Sequence, residues 1–268
     1  MRIPALPGPA LLFCPADRPD RYRKALDAAD VVVLDLEDAV PAANKANGRK
    51  ALLSAPMDPA RAIVRVNAAA TAEHTADIAA LRRTRYRMIM LPKAEEASQL
   101  TPLASWQVVA LCETPLGVLN AAQIAAAPNV IALMWGAEDL IAAIGGRTSR
   151  SPGGHYRLVA THARSSVLLA AAAHGRAAID AVYTDFRDLD GLAAEAQDAA
   201  ASGFALKACI HPSQVPAVRR AFRPDAAEVA WAERVMAAAR SGGAVAVDGQ
   251  MIDGPLIRQA EAILASRA

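Results

Sequence analysis

The sequence predicts an α/β protein of the closed (β/α)8, or TIM-barrel, type with a C-terminal helical extension. Three observations lead there: short apolar runs recur eight times, Ala-rich amphipathic segments fill the gaps, and no run is followed by GxGxxG or GxxxxGK. Those glycine patterns are how open doubly wound sheets hold phosphates, and an open sheet of that kind is the alternative topology.

The candidate strands, in order, are Ala10 to Pro15, Val31 to Leu36, Ala62 to Val66, Met88 to Leu91, Val108 to Cys112, Val130 to Trp135, Ala178 to Tyr183 and Ala205 to Ile210. Continuous apolar runs of this length suit parallel strands covered on both faces. The intervening helices are clearest over Tyr156 to His174 and Leu189 to Ala201. The barrel is expected over residues 1–222. The remaining residues, 223–268, read as a helix from Asp225 to Arg240, then Ser241, Gly242 and Gly243, then AVAVDGQMIDGP and a last helix from Pro255 to Ser266. This extension is surplus to a barrel, either a cap on its own mouth or an arm that crosses to another subunit.

Composition agrees with the patterning. Hydrophobic residues make up 54% of the 268, charged residues 21% and aromatics only 4%, so the core is built from Ala, Val, Leu and Ile. The 29 basic and 27 acidic side chains leave a net charge of +2, which excludes a general field for nucleic acid or membrane. Cys14, Cys112 and Cys209 have neither metal-site nor redox spacing and lie in or beside apolar runs. Buried reduced thiols, and with them a cytoplasmic location, are expected. Met1 to Phe13 is apolar but broken by Pro4, Pro7 and Pro9 and followed by Asp17 and Arg18, unlike a signal peptide. No run approaches the roughly 20 apolar residues of a membrane span.

Polar residues just after parallel barrel strands collect at one mouth, so they are read as a set. The second strand ends in LDLED with Asp35, Glu37 and Asp38, the third holds Arg65, the fourth leads to Lys93, the fifth to Glu113, the sixth to Glu138 and Asp139, and the eighth to His211. The sixth run, VIALMWGAEDL, delivers two adjacent acids; they are costly near a dry interior unless a cation meets them, and the alternative is a surface turn that caps the next helix. Carboxylates from strands five and six, with few His or Cys nearby, make an oxygen-rich hard-cation site for which Mg²⁺ fits best. Arg65 inside an apolar strand is either a functional cation or the partner of Asp35 or Glu37. Lys93 is either a Schiff-base lysine or a neighbour of the metal, and His211 either a functional group or a helix cap. Arg18, Arg21, Arg23 and Lys24 form a basic cluster, an anion patch or a solvated helix face. His74, His155, His162 and His174 read as surface or packing residues, and Gly145, Gly146, Gly153 and Gly154 as loop residues.

In order, LLFCPADRPDRYRKAL, VVVLDLEDAVPAANKANGRKAL, VRVN, MLPKAE, ALCETPLGVLNAAQIAA, WGAEDLIAAIGG, AIDAVYTDFRDLDGL, CIHPSQ and GQMIDGP resemble the HpcH/HpaI aldolase and citrate lyase beta-subunit superfamily, and within it the stand-alone citrate lyase beta-like branch. The resemblance runs nearly end to end. It implies a TIM barrel that forms homotrimers or hexamers, binds Mg²⁺ and cleaves or forms a carbon–carbon bond next to a CoA thioester, with a 3-hydroxyacyl-CoA giving acetyl-CoA and a keto acid. By position it implies Glu113 and Asp139 as metal ligands, with Glu138 as their neighbour. Arg65 becomes the substrate-contacting arginine, and Gly136 and Ala137 join it and Glu113 around the substrate. Asp253 in MID corresponds to an acid brought from the adjacent subunit, and Arg18 lies near the CoA entry. Relatives often begin RSLLFVPG; this chain has GPALLFCPAD and lacks that arginine. Rival readings are a class II aldolase acting on free hydroxy-keto acids, the β subunit of a citrate lyase complex, and a noncatalytic CoA- or metabolite-binding protein.

Overall fold

The computed structural model describes residues 6–240, 245–247 and 249–267. Eight parallel strands close into a barrel in sequence order: β1 (Ala10–Pro15), β2 (Val31–Asp35), β3 (Ala62–Arg65), β4 (Met88–Leu91), β5 (Gln107–Cys112), β6 (Val130–Trp135), β7 (Ala177–Asp180) and β8 (Leu206–Cys209). Closure is explicit, because β1 pairs with β2 through Leu11 and Val31 and with β8 through Leu11 and Ala208. The open-sheet alternative is thereby excluded. The predicted strands all appear; the largest differences are at β7 and β8, which end before the predicted Tyr183 and Ile210.

Strand periodicity explains where the site lies. Leu11, Val31, Val33, Ile63, Met88, Met90, Val109, Leu111, Ala132, Met134, Ile179, Leu206 and Ala208 pack as one cluster that fills the barrel interior. Successive side chains alternate across the wall. Two residues beyond Val33 comes Asp35, two beyond Ile63 comes Arg65, two beyond Leu111 comes Glu113, and two beyond Met134 comes Gly136. The strands thus carry these residues to the lumen side just above the apolar plug.

The helices that matter for the site are α1 (Tyr22–Ala28), α2 (Lys45–Ser54), α3 (Ala72–Leu81), α4 (Pro115–Leu119), α5 (Ala121–Ala126), α6 (Ala137–Ala143), α7 (Leu158–Ala173) and α8 (Leu189–Ser202). The helix that begins directly after Glu113 does so for local reasons. Thr114 accepts a hydrogen bond from the Gly117 amide at 3.1 Å and Pro115 occupies the first turn, where a missing N–H costs nothing. A Cβ on Gly117 would collide with the Ala94 carbonyl oxygen, so only glycine lets α4 sit against the segment after β4.

The chain divides into two compact units, Met1–Val218 and Arg219–Ala268. A short helix, α9 (Val215–Ala221), spans the division. The second unit consists of α10 (Ala226–Ala239), an antiparallel hairpin of β9 (Val245–Val247) and β10 (Gln250–Ile252), and α11 (Gly254–Ala265). Asp225 and Glu228 form a reciprocal capping box at the start of α10, each side chain taking the other's backbone N–H at 2.8 Å. Ala232, Val235, Val247, Ile252 and Ala260 make a core for this unit. Ser241, Gly242 and Gly243 lie outside the described residues, as do Met1 and Pro4. Among the described residues no helix is long and apolar enough to cross a membrane.

Candidate active site

A cavity of about 780 Å³ opens at the carboxyl ends of the strands, and its lining includes Asp35, Arg65, Glu113, Gly136, Ala137, Glu138, Asp139 and His211. The structure therefore gathers residues from five strand ends that the sequence lists more than 170 positions apart.

The basic wall comes first. Arg65 Nε and Nη2 donate to Asp35 Oδ1 and Oδ2 at 2.7 and 2.6 Å, a forked pair, and Nη1 lies 3.0 Å from Glu37 Oε2. The ion-pair reading of Arg65 is met, since it pairs with Asp35 and Glu37, and the residue also lines the cavity. Burial works against its charge, but the hydrogen bonds to Asp35 and the charges of Asp35 and Glu37 outweigh it and hold the pKa above the usual arginine value. The Arg65 guanidinium also lies over Phe13, 4.9 Å from the ring centre. Asp35 accepts the backbone N–H groups of Glu37 and Ala39 at 2.8 and 3.0 Å, which folds the LDLED turn around it. Lys45 pins the same turn by donating to the Leu36 and Glu37 carbonyls, both at 2.8 Å, and to Asn67 Oδ1 at 2.7 Å. Asn67, the last residue of VRVN, is held in turn by buried Asp77.

The acidic wall faces it. Glu113 is buried, and its Oε1 accepts the Lys93 backbone N–H at 3.1 Å. Burial, then the neighbouring Asp139 charge, push its carboxyl up to about 8 against the pull of Lys93. Lys93 Nζ makes a close ion pair with Glu37 Oε1 and lies 3.9 Å from both Glu113 Oε1 and Asp139 Oδ1. Burial lowers the Lys93 pKa, but the hydrogen bond to Glu37 and the acidic surroundings raise it more. A Schiff-base lysine works through a neutral amine, which the acidic surroundings of Lys93 oppose. Glu138, also in the lining, accepts the Ser149 hydroxyl at 2.6 Å.

The donor set fits a hard divalent ion. Glu113 and Asp139 are oxygen donors on adjacent strand ends. The raised Glu113 pKa is that of a buried carboxylate short of positive charge, and a cation reverses such a shift. Two carboxylate donors are the kind of set that a hard divalent ion accepts, with water or substrate oxygens beside them.

Other predicted residues fall as follows. Arg18 is engaged with Asp20 through contacts of 2.9 and 2.7 Å and is not part of the cavity lining; Arg21 and Lys24 of the same cluster are. The turn of 3-10 helix at Pro19–Arg21 sets which members of the cluster face the cavity, and a list of basic residues does not carry that phase. His211 caps the short helix after β8, its Nδ1 accepting the Ser213 N–H at 3.2 Å, while its ring stacks on Phe186 at 5.0 Å and reaches the cavity. Asp253 caps α11 in the second unit, with Oδ1 accepting the Leu256 N–H at 3.5 Å. The three cysteines are buried and form no disulfide, and burial raises the Cys14 thiol to about 11 and the Cys112 thiol to about 12.

Sequence reading missed a second charged cluster on the helix side of the wall. Asp180 and Lys207 are fully buried; Lys207 Nζ donates to Asp180 Oδ2 and Glu195 Oε1, both at 2.9 Å. Arg164 of α7 and the Trp135 indole donate to Asp180 Oδ1 at 2.9 and 2.7 Å. Arg150 adds an ion pair to Glu195 at 2.6 Å and lies over Tyr156, 4.0 Å from the ring centre. The signal was a lysine inside the apolar run LKAC, one residue out of phase with Leu206 and Ala208.

Comparison with known proteins agrees with the geometry. Residues 10–212 match the family model described as HpcH/HpaI aldolase/citrate lyase. The chain is 55% identical over 258 residues to a citrate lyase subunit beta-like protein of Mycobacterium tuberculosis, covering 96% of this chain and 94% of that one. It is 35% identical to a (3S)-malyl-CoA thioesterase of Cereibacter sphaeroides, covering 98% of each. A crystal structure of CitE from Mycobacterium tuberculosis in complex with magnesium, acetoacetate and coenzyme A superimposes with a TM-score of 0.95 at 54% identity, over 97% of this chain and 98% of that one. With a family match spanning all eight strands and relatives aligned almost end to end, the chain belongs to the HpcH/HpaI aldolase/citrate lyase family.

Proposed function

We propose that this chain is a Mg²⁺-dependent carbon–carbon lyase that cleaves or forms a 3-hydroxyacyl-CoA, of the citramalyl-, malyl- or hydroxymethylglutaryl-CoA kind, with acetyl-CoA and a keto acid as the other partners. The observation that carries this is the meeting of Glu113 and Asp139 with Arg65 in one cavity at the strand ends. The magnesium, acetoacetate and coenzyme A held by the CitE relative support it.

Glu113 and Asp139 hold the ion. Bound Mg²⁺ supplies Lewis acidity that lowers the pKa of a chelated hydroxyl and neutralises a chelated carboxylate. Arg65, its charge secured by Asp35 and Glu37, stabilises the enolate oxygen that develops on the thioester as the carbon–carbon bond breaks. Asp253, delivered by a neighbouring subunit of a trimer or hexamer, would return to the enolate carbon the proton that the substrate hydroxyl gives up, directly or through solvent, and would remove it in the synthetic direction. Arg21 and Lys24, with Arg18 beyond them, provide positive charge for the CoA phosphates. Gly136 and Ala137 form the wall against which the acyl group rests.

A panel of 3-hydroxyacyl-CoA substrates with Mg²⁺, followed for both acetyl-CoA and keto acid, tests the reading. Paired release of the two products is expected. Free CoA with the hydroxy acid intact makes the chain a thioesterase, the activity named for the Cereibacter relative. Turnover of free hydroxy-keto acids alone makes it a class II aldolase, turnover only with an acyl-carrier partner makes it a complex subunit, and tight binding without turnover makes it a binding protein.

A further inference from the structure

Lys93 occupies an unusual place. It is the only non-glycine residue among those described with positive φ, at 50°, a conformation disfavoured for a side chain with a Cβ. The surroundings hold it there. The Lys93 N–H is taken by Glu113 Oε1, the Ala94 N–H donates to the Leu111 carbonyl at 3.0 Å, Gly117 packs against the Ala94 carbonyl, and Asn120 Nδ2 donates to the Glu95 carbonyl at 2.8 Å. A backbone fixed this firmly aims one ammonium group at acids from three different strand ends: Glu37 after β2, Glu113 after β5 and Asp139 after β6.

Charge balance gives that aim a purpose. Ion pairs join Asp35, Glu37, Glu113 and Asp139 to Arg65 and Lys93, and Asp38 adds a further acid beside Glu37 and Lys93. Acids outnumber cations in these contacts, an imbalance that a divalent ion would offset. Arg65 is committed to Asp35 and Glu37, so the carboxylates proposed to hold metal, Glu113 and Asp139, have Lys93 as the ammonium within 4 Å.

We propose that Lys93 is the resident counter-cation of this site: its ammonium group holds Glu113 and Asp139 together when no divalent ion is bound, and competes with that ion for them. The proposal rests on the Mg²⁺ reading given above and adds to it a residue that sets the affinity. Lys93 is in this sense a positioning residue. The ion would enter a site that is already assembled and already partly neutralised, and the ammonium would then rest on Glu37, the carboxylate with which it already pairs. Affinity for Mg²⁺ is thereby moderated, and without the ion the ammonium offsets part of the repulsion between the two carboxylates.

The test is calorimetric titration of Mg²⁺ into the metal-stripped full-length protein at fixed ionic strength, together with thermal unfolding with and without Mg²⁺. Lys93→Met should tighten Mg²⁺ binding by about tenfold, since one competing charge near 4 Å is gone. The same variant should melt lower than wild type when metal-free and close to wild type when saturated. Lys93→Arg keeps the charge and should stay within about threefold of wild type. A merely structural lysine predicts the opposite sign, because a disturbed loop loosens both the fold and the metal. Unchanged or weaker binding in Lys93→Met, with wild type binding normally, overturns the proposal and leaves the metal reading standing. Absence of Mg²⁺ binding in wild type overturns both. Should Lys93→Met fail to fold, Lys93→Asn, which accepts positive φ more readily, reads the same affinity.

Discussion

Gly136 lies directly against the carboxyl group of Glu113: a Cβ at Gly136 would stand 2.8 Å from Glu113 Cβ and 2.9 Å from its Oε2. The Glu113 side chain occupies the space that any other residue at position 136 would claim. Gly136→Ala should therefore rotate the Glu113 carboxylate out of place while leaving the barrel folded. Expected are a rise of about tenfold or more in the Mg²⁺ concentration needed for half activity and a small change in melting temperature, both measurable on one preparation.

Removing either acid should be more severe. Glu113→Ala and Asp139→Ala should each reduce metal-dependent turnover by on the order of 10³-fold, the scale expected when a principal source of charge stabilisation is lost. Full activity of a chelated wild-type sample would remove the metal from the mechanism altogether.

Arg65 serves two tasks that one substitution can separate. Arg65→Lys retains a positive charge but not the fork that engages both Asp35 oxygens. Activity should drop about 10²-fold in protein that is still folded. Arg65→Met also strips the counter-charge from buried Asp35 and should cost about 3–5 kcal/mol of stability. Equal loss of stability in both variants would mean that charge, not the fork, fails to explain the fold.

The helix-side cluster gives a pH test. Burial opposes ionisation of Asp180, but Lys207 and Arg164 hold its pKa below the usual value. Burial likewise opposes the Lys207 charge, but Asp180 and Glu195 hold that pKa above its usual value. Asp180 therefore stabilises the fold above about pH 4 and ceases to as pH falls through its depressed pKa; Lys207 stabilises below about pH 10.4 and ceases to as pH rises through its elevated one. Lys207→Met should cost about 3–5 kcal/mol at neutral pH. The gap in melting temperature between variant and wild type should narrow only above about pH 10.4, and a gap independent of pH there would show that packing, not charge, was lost.

Asp253 can be placed by complementation. Asp253→Asn and Glu113→Ala should each be inactive alone. If Asp253 serves a neighbour's cavity, mixed oligomers made by co-refolding should regain activity, in proportion to the sites that pair an intact Glu113 with an intact Asp253. No recovery in verified mixed oligomers would confine Asp253 to its cap on α11.

Most of the fold was legible because continuous apolar runs and Ala-rich gaps encode it redundantly. Val130–Trp135 was read to the residue. Asp35, Arg65, Glu113 and Asp139 were legible for a different reason, since charges at strand ends in a parallel barrel have one mouth to go to. What stayed hidden depends on rotation about an element or on a partner far along the chain. Arg18 stood for a cluster whose cavity-facing members are Arg21 and Lys24, and the intervening 3-10 turn sets that phase. Lys207 meets Asp180 from 27 positions away, and a lone lysine in an apolar run does not name its partner. The positive φ of Lys93 leaves no mark in composition, because glycine or asparagine would be the usual residue there.

The alternation of side chains across the barrel wall has a further consequence. Ile179 and Ala208 face the lumen, while their neighbours Asp180 and Lys207 face the helical shell. A sheet one residue thick therefore separates two ionic compartments, one at the proposed site of turnover and one that ties the wall to its helices. A designer, or natural drift, can retune the first by substitutions at lumen parity without touching the second, provided that no strand slips by one residue; such a slip would exchange the contents of the two compartments and disable both at once.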